Sequence, residues 1–170
     1  MTMDPRSLRR IRLENEYEEL KKLSGEVIHI EPLGPWPYAR YKITFNIRTI
    51  VREDPIEYQL KTVCLLELPD GFPKQMPRLH ILEGSGTKPP WHVNWYKGGA
   101  WCAGGWSWDE PLSSYIWRCA KTLQFDPSGV TNPDNAANRE AIHFWETNKN
   151  DPWIFPTDRR HIPLPDDIPS

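Results

Sequence analysis

The sequence predicts an α+β domain in which helices pack against one antiparallel sheet. Three features support this prediction: an amphipathic N-terminal segment, a run of alternating apolar and polar residues between positions 26 and 81, and two later segments with apolar residues at helical spacing. The chain of 170 residues is long enough for one hydrophobic core. We therefore expect an N-terminal helix, a four-stranded antiparallel meander, a long irregular segment and two C-terminal helices.

The first helix is predicted to begin after Asp4 and to end at Ser24-Gly25. Asp4 can accept hydrogen bonds from the first free N–H groups, Pro5 suits the first turn, and a glycine favours a C-terminal stop. The apolar face of this helix is expected to contain Leu8, Ile11, Leu13, Tyr17 and Leu20.

Four strands are expected next, at residues 26–32, 40–51, 58–68 and 79–81. In the second and third strands, apolar and polar residues alternate with a period of two, which indicates one buried face. Cys64 lies within this alternation, so we expect its thiol to be packed in the core.

The periodicity is lost after residue 84, and residues 91–108 form the predicted irregular segment. Pro111 opens a second helix, whose apolar positions are Leu112, Tyr115, Ile116, Cys119 and Leu123. A third helix is expected to begin near Asn135 and to carry Ala137, Ala141, Phe144 and Trp145. Residues 1–147 would then form the domain, and residues 148–170, which are rich in proline and charge, would form a tail or a strap.

The composition argues against several classes of protein. The formal net charge of −2 disfavours nucleic-acid binding, which usually requires a basic stripe. No apolar run is long enough to span a bilayer, and the N-terminus has no apolar signal region. The 3 cysteines have no paired spacing, so a disulfide framework is not expected. A cytoplasmic protein with reduced thiols is the simplest interpretation.

Cys102 is the most informative residue of the irregular segment, and it could be a core residue, a metal ligand or a nucleophile. Zinc would need about four ligands in close spacing, and the chain has no Cys-x-x-Cys pair, so we expect neither a metal nor another cofactor. A cysteine protease needs a histidine base, and no histidine spacing around Cys102 indicates one. Acyl carriage fits better, because Asn94 could supply an amide donor and Gly98 and Gly99 would admit a flexible chain end.

The spacing of these residues resembles that of the ubiquitin-conjugating enzymes. That family has a His-Pro-Asn motif before its active cysteine and a glycine three positions before that cysteine. The same offsets are found in His92, Asn94, Gly99 and Cys102.

The flanking segments extend the resemblance over about residues 5–147. Residues 72–81 resemble the aromatic-proline turn before the family's fourth strand, and Trp108 and Pro111 follow the cysteine as a tryptophan and a proline do in the family. Residues 132–138 resemble its proline-asparagine-aspartate segment, and residues 8–11 its basic first helix.

The resemblance implies a reaction. Cys102 would accept a ubiquitin-like protein as a thioester from an ATP-dependent activating enzyme and pass it to a lysine amine of a target protein. Asn94 would either stabilise the oxyanion or order the loop, and Asp134, or alternatively Asp126, would orient or deprotonate the amine. His92, Gly99 and Trp108 would be structural, and Arg9 and Arg10 would contact the activating enzyme.

The sequence also departs from the family pattern. Val93 replaces the proline of the motif, and Lys74 stands where many members have an aromatic residue that binds RING-type ligases. Because of these departures and the tryptophans at 101, 106 and 108, the chain resembles the divergent bacterial conjugating enzymes. Such proteins are typically encoded with an activating enzyme, a ubiquitin-like protein and a metallopeptidase, often in antiphage defence. The net charge and the lack of a long apolar run lead us to expect no nucleic-acid or membrane partner.

Three questions remain open from the sequence. The chain could be a catalytically inactive scaffold with the same fold that binds ubiquitin-like proteins. The cluster of tryptophans could stack on sugars, close a loop over the core, or exclude water from a thioester; the cluster consists of Trp91, Trp95, Trp101, Trp106 and Trp108. The tail could bind the activating enzyme or strap the back of the sheet.

Overall fold

A computed structural model describes residues 4 to 167 and confirms the α+β class, with an N-terminal helix, a four-stranded antiparallel sheet and C-terminal helices. The helices are α1 (Pro5–Leu23), α2 (Leu112–Leu123) and α3 (Ile142–Asn148). The strands are β1 (Ile28–Leu33), β2 (Arg40–Phe45), β3 (Thr49–Glu53), β4 (Ile56–Gln59), β5 (Thr62–Glu67) and β6 (Arg78–Ile81). Between residues 4 and 167, no helix is long and apolar enough to cross a membrane.

The expected meander is a sheet in the order β1-β2-β5-β6, and every neighbouring pair is antiparallel. The prediction of two long central strands was wrong, because each of them is interrupted. β3 and β4 form a separate two-stranded ribbon, which is divided from β2 and β5 by residues 46–48 and 60–61. The ribbon leaves the sheet and packs Ile50 into a second apolar cluster with Phe125, Phe144 and Phe155.

Helix α1 begins and ends as expected. The Asp4 carboxylate accepts hydrogen bonds from the N–H groups of Arg6 and Ser7, and Ser24 follows the last turn in an extended conformation. The predicted apolar face was too broad, because Leu8 and Ile11 are 53% and 41% exposed. At 3.6 residues per turn they lie about 140–160° around the helix from Leu13, which is buried against the sheet.

Helix α2 packs across the inner face of the sheet, and all its predicted apolar positions are buried. Its first N–H group, that of Leu112, donates to the carboxylate of Glu16 in α1 at 2.9 Å. The other oxygen of Glu16 pairs with Arg12 at 2.8 Å. Burial raises the pKa of Glu16 against the lowering effect of these partners. The carboxylate of Glu16, paired with Arg12 of its own helix, therefore joins α1 to α2 at the point where the irregular segment meets α2.

The third helix begins later than expected. Residues from Asn135 to Asn138 are not α-helical, because the N–H groups of Ala137 and Asn138 both donate to the carbonyl of Val93. Two short 3-10 turns, Pro133–Asn135 and Arg139–Ala141, precede α3 instead. Hydrogen bonds to a distant segment thus replace the local helical ones.

The boundary expected after residue 147 does not separate a free tail. Phe155 is buried in the second apolar cluster, and Ile162 is buried in the main core. Thr157 donates its hydroxyl to the carbonyls of Arg48 and Leu123, which lie on the ribbon side of the sheet and at the end of α2. The segment is a strap, but it crosses the end of α2 and the base of the ribbon rather than the back of the sheet.

The strap should contribute to stability. Phe155→Ala is expected to lower the free energy of unfolding by about 3–5 kcal/mol, because it leaves a cavity in the second cluster. Trp153→Ala is the matched control, since that side chain is 93% exposed and its loss should change the value by less than about 0.5 kcal/mol. Urea denaturation measures both. Equal effects would mean that the strap does not pack as described.

Candidate active site

Cys102 follows a short extension of the sheet edge. Ala100 pairs with His80 of β6, and the N–H of Trp101 donates to the carbonyl of Leu79 at 2.9 Å. The side chain of Trp101 is buried in the core, whereas Cys102 is partly exposed. Cys64 and Cys119 are fully buried as expected, and burial raises the pKa of both thiols. Cys102 is therefore the accessible cysteine of the chain between residues 4 and 167.

Asn94 connects Cys102 to a distant segment. Its carbonyl accepts the N–H of Cys102 at 2.9 Å. Its side-chain oxygen accepts the N–H of Asn132 at 2.5 Å, and its amide nitrogen donates to the carbonyls of Asn132 and Asn135 at 3.4 Å each. The residue is 2% exposed. Of the two roles considered for Asn94, this geometry fits the ordering of the loop, because both the oxygen and the nitrogen are engaged with the backbone.

His92 forms a hydrogen bond with the backbone of Asn94 in the same turn. Its Nδ1 accepts the N–H of Asn94 at 2.9 Å, and its Nε2 faces the hydroxyl of Thr131 at 3.4 Å. The ring packs on Phe125 with a centroid separation of 4.6 Å. Burial lowers the pKa of His92 to about 3. The ring is therefore neutral at physiological pH and carries its proton on Nε2, since Nδ1 is an acceptor.

A second segment, residues 131–141, runs beside residues 92–97 and is joined to them at several points. Thr131 contacts His92, the backbone around Asn132 binds Asn94, and Lys97 pairs with Glu140 at 2.6 Å. These contacts, with those at Val93, hold the second segment in one place although it has little regular structure.

The two aspartates proposed as candidates differ in their surroundings. Asp134 is exposed within the second segment, and within residues 4–167 it forms no salt bridge. Asp126 accepts the N–H of Ser128 and lies 3.7 Å from Lys121. Burial raises the pKa of Asp126, but the bonds from Ser128 and the charge of Lys121 outweigh it, so the pKa lies below its usual value. Asp134 is thus the aspartate whose carboxylate is uncommitted.

Gly99 closes a tight turn before the cysteine. Its φ of +113° is disfavoured for residues with a side chain, and a Cβ atom there would lie 3.4 Å from Ile81. Its carbonyl accepts hydrogen bonds from the N–H of Ile81 and from the indole of Trp95, each at 2.9 Å. Gly99 therefore lets the segment approach β6 closely enough to pair with it.

The loop after the cysteine is held by side chains from both long helices. Arg118 of α2 donates to the carbonyls of Ala103 and Gly105, and Arg12 of α1 donates to the carbonyls of Trp108 and Glu110. Arg12, Arg118 and Glu16 were not predicted from the sequence. The available signal was a charged residue beside the apolar face of a helix, but this signal does not identify the loop that the side chain binds.

The prediction of a structural role for the Trp108 side chain was wrong. Its indole is 65% exposed, and only its backbone carbonyl is bound. Trp106 occupies the packed position instead: it lies against Phe72 and Tyr115, and its indole N–H donates to the carbonyl of Pro73 at 2.8 Å. The loop places Trp106 over the core, and Trp108 falls at a turn that faces the solvent.

Two of the five tryptophans of the cluster are core residues. Trp95 and Trp101 are buried and pack on each other, with ring centroids 6.5 Å apart, and Trp101 also contacts Tyr115. Stacking on sugars requires exposed indole faces, so the sugar-binding interpretation fails for these residues. An aromatic channel beside the cysteine is not formed by them either, because their faces are covered by the core.

The two arginines assigned to partner binding do not share one environment. Arg9 is half-buried, and its guanidinium donates to the carbonyls of Leu68 and Pro69 at 3.3 and 3.1 Å, so it fastens α1 to the end of β5. Arg10 is exposed and pairs with Glu14 along the helix. Arg9 therefore has a structural role within the fold, whereas Arg10 presents its side chain at the surface.

The site offers an accessible thiol without a histidine partner. No hydrogen bond joins the Cys102 sulfur to a histidine anywhere in residues 4–167; His92 bonds to Asn94 and Thr131, and His80 bonds to Glu67. Within the same range, no group of three or more histidine, cysteine, aspartate or glutamate side chains is arranged to hold a metal ion. Among these residues Cys102 therefore lacks the hydrogen-bonded histidine that a cysteine protease uses as its base, whereas acyl carriage needs only an accessible thiol on an ordered backbone.

No protein-family model matches this chain, and the comparison with curated proteins finds no significant match. The geometry of the site and the resemblance of its motif are therefore the observations that bear on function.

Asn94 should be a structural centre of the site. Asn94→Ala is expected to lower the free energy of unfolding by about 1–3 kcal/mol, because the N–H of Asn132 loses its acceptor in a partly buried place and the buried amide of Asn94 is removed. Asn135→Ala is the control, since that side chain is exposed in the same segment. Urea denaturation gives the stability, and hydrogen exchange of the Asn132 amide gives the local effect. Unchanged protection of that amide would contradict the described contact.

The lowered pKa of His92 predicts that the free energy of unfolding depends on pH. The unfolded chain binds a proton at this residue below about pH 6.5, whereas the folded chain resists it down to about pH 3. Stability should therefore fall as the pH is lowered through this window, with a slope from this group of up to about 1.4 kcal/mol per pH unit. His92→Gln, which keeps an acceptor, should reduce the slope between pH 6 and 4, and the exposed His143→Gln should not. Parallel slopes for all three proteins would refute this.

Proposed function

We propose that the chain is a ubiquitin-conjugating-type enzyme, which carries a ubiquitin-like protein as a thioester on Cys102 and transfers it to an amine. The observation that carries this proposal is the double role of Asn94. One residue binds the backbone of Cys102 through its carbonyl and the segment at 132–135 through its side chain. Acyl transfer benefits from this arrangement, because the thioester and the groups that receive the amine are held in fixed relative positions.

The chemistry needs only the thiol and an ordered surface. The Cys102 thiolate would attack the carbonyl carbon of a thioester on the activating enzyme, forming a new C–S bond while the thiolate of that enzyme leaves. An amine would then attack the same carbon. The C–N bond forms, the C–S bond to Cys102 breaks, and the proton of the amine passes to a base or to water.

Asp134 is our candidate for the group that receives the amine. It is exposed, it is uncommitted to another side chain, and it lies in the segment that Asn94 holds. A carboxylate there would attract a lysine ammonium and could accept its proton. We do not assign the oxyanion to Asn94, because its amide nitrogen already donates to the carbonyls of Asn132 and Asn135.

The activating enzyme would dock on the exposed side of α1. Leu8 and Ile11 present apolar surface there beside the exposed Arg10, and such mixed surfaces are typical of transient interfaces. A ubiquitin-like protein, an activating enzyme and a target protein are the partners that this reaction requires. The departures from the motif favour a bacterial conjugation pathway, of the kind found in antiphage defence. In such a pathway a metallopeptidase would reverse the reaction.

A small thioester tests the carrier step without any partner protein. The probe is a short peptide ending in Gly-Gly, supplied as a mercaptoethanesulfonate thioester. Intact mass should rise by the acyl peptide as mercaptoethanesulfonate leaves, and thiol treatment should reverse it. Cys102→Ala should abolish the adduct, and Cys64→Ala should keep it, because Cys64 is buried.

The rate of aminolysis separates an enzyme from an exposed cysteine. Free lysine is added to the isolated adduct, and the rate is compared with that of the free probe and with that of the adduct unfolded in guanidinium. We expect the folded adduct to react at least about tenfold faster, and Asp134→Asn to lose most of this gain. Equal rates in all samples would refute the enzyme and leave an inactive scaffold that binds ubiquitin-like proteins.

A further inference from the structure

The backbone directly after Cys102 makes few hydrogen bonds of its own. Within the described chain, no N–H group of residues 103–109 donates to a backbone carbonyl. Gly104 has a φ of +79°, and Gly105 follows it, so this stretch has access to many conformations. Its observed path must therefore be selected by side chains from elsewhere in the fold.

Arg118 is the side chain that contacts both sides of Cys102. Its guanidinium lies 5.8 Å from the ring centroid of Trp101, which precedes the cysteine. It donates to the carbonyl of Ala103, which follows the cysteine, at 2.9 Å, and to that of Gly105 at 3.3 Å. Glu110 fixes the guanidinium in turn through a 2.8 Å ion pair.

The arginine has a geometry that suits this role. A guanidinium is a planar fork that can bind two acceptors in fixed directions, which a lysine ammonium cannot do as specifically. The side chains of Arg118 and Glu110 are only about one-fifth exposed, at 22% and 21%, so water competes less for the ion pair and for the bond to Ala103 than for the exposed bond to Gly105. The N–H of Cys102 is bound by Asn94 on one side, and the carbonyl of Ala103 is bound by Arg118 on the other.

We propose that Arg118 is a positioning residue for Cys102, which fixes the carbonyl of Ala103 and so sets the direction in which an amine reaches the thioester. This inference rests on the proposed function. Arg118 touches neither the acyl group nor the amine. Its effect is transmitted from the carbonyl of Ala103 through the backbone to Cys102, and a loosened backbone would leave the direction of the thioester undefined.

The test uses the same Gly-Gly peptide thioester and free lysine. In the wild type, the rates of aminolysis and of hydrolysis without lysine are measured over a range of lysine concentrations. Arg118→Met should lower the maximal aminolysis rate about tenfold at an unchanged half-saturating lysine concentration, because positioning is lost but lysine capture is not. Hydrolysis should stay within about twofold, since water needs no defined direction. Arg118→Lys should lie between the two.

Arg9→Met is the matched control. Arg9 is also a half-buried arginine that donates to two backbone carbonyls, but those carbonyls belong to Leu68 and Pro69. Its loss should reduce the melting temperature without changing the ratio of aminolysis to hydrolysis. This control separates positioning from a general loss of stability.

The outcomes are distinct. A folded Arg118→Met with an unchanged ratio, or with both reactions slowed equally, would overturn the role of Arg118 and leave the proposed function intact. If Arg118→Met does not fold, Arg118→Lys decides: a ratio lowered several-fold supports the inference, and an unchanged ratio overturns it. A wild-type adduct that reacts no faster than the free probe would refute the proposed function, and the inference with it.

Discussion

The hydrogen bonds of Asn94 are the constraint on which the candidate site depends. Two stretches with little regular structure, residues 91–111 and 131–141, have to be held side by side, and irregular backbone brings polar groups that need partners. Asn94 supplies acceptors and donors to both stretches from one buried position. His92 holds the N–H of Asn94 from beneath, and its low pKa keeps the ring neutral and able to accept.

Charged side chains hold the part of the site that Asn94 does not reach. Arg12 and Arg118 project from different helices onto one loop, and each is paired with a glutamate that also serves the loop or the helix beside it. Glu16 binds the first N–H of α2, so the ion pair replaces a helix cap that Pro111 has no side-chain donor or acceptor to provide. Removing one partner would leave a charge with little water to solvate it, which is why such pairs are costly to break.

The C-terminal strap supports the back of the site through contacts with segments far along the chain. Thr157 ties the base of the ribbon to the end of α2, and Phe155 packs on Phe125, whose ring also supports His92. A continuous line of contacts therefore runs from the C-terminal segment to the turn before the cysteine. Residues whose composition is typical of a tail therefore pack behind the site.

The sequence by itself determined the class, α1, α2 and the identity of the accessible cysteine, because capping residues and periodic apolar positions act over a few residues. Only the tertiary structure decided three features: the late start of α3, the division of the central strands, and the packing of Trp106 instead of Trp108 on the core. Each depends on a partner far along the chain: Val93 for residues 137–138, the second apolar cluster for the ribbon, and Pro73 for the indole of Trp106. Local propensity cannot indicate such partners, since their contacts exist only once the segments are brought together.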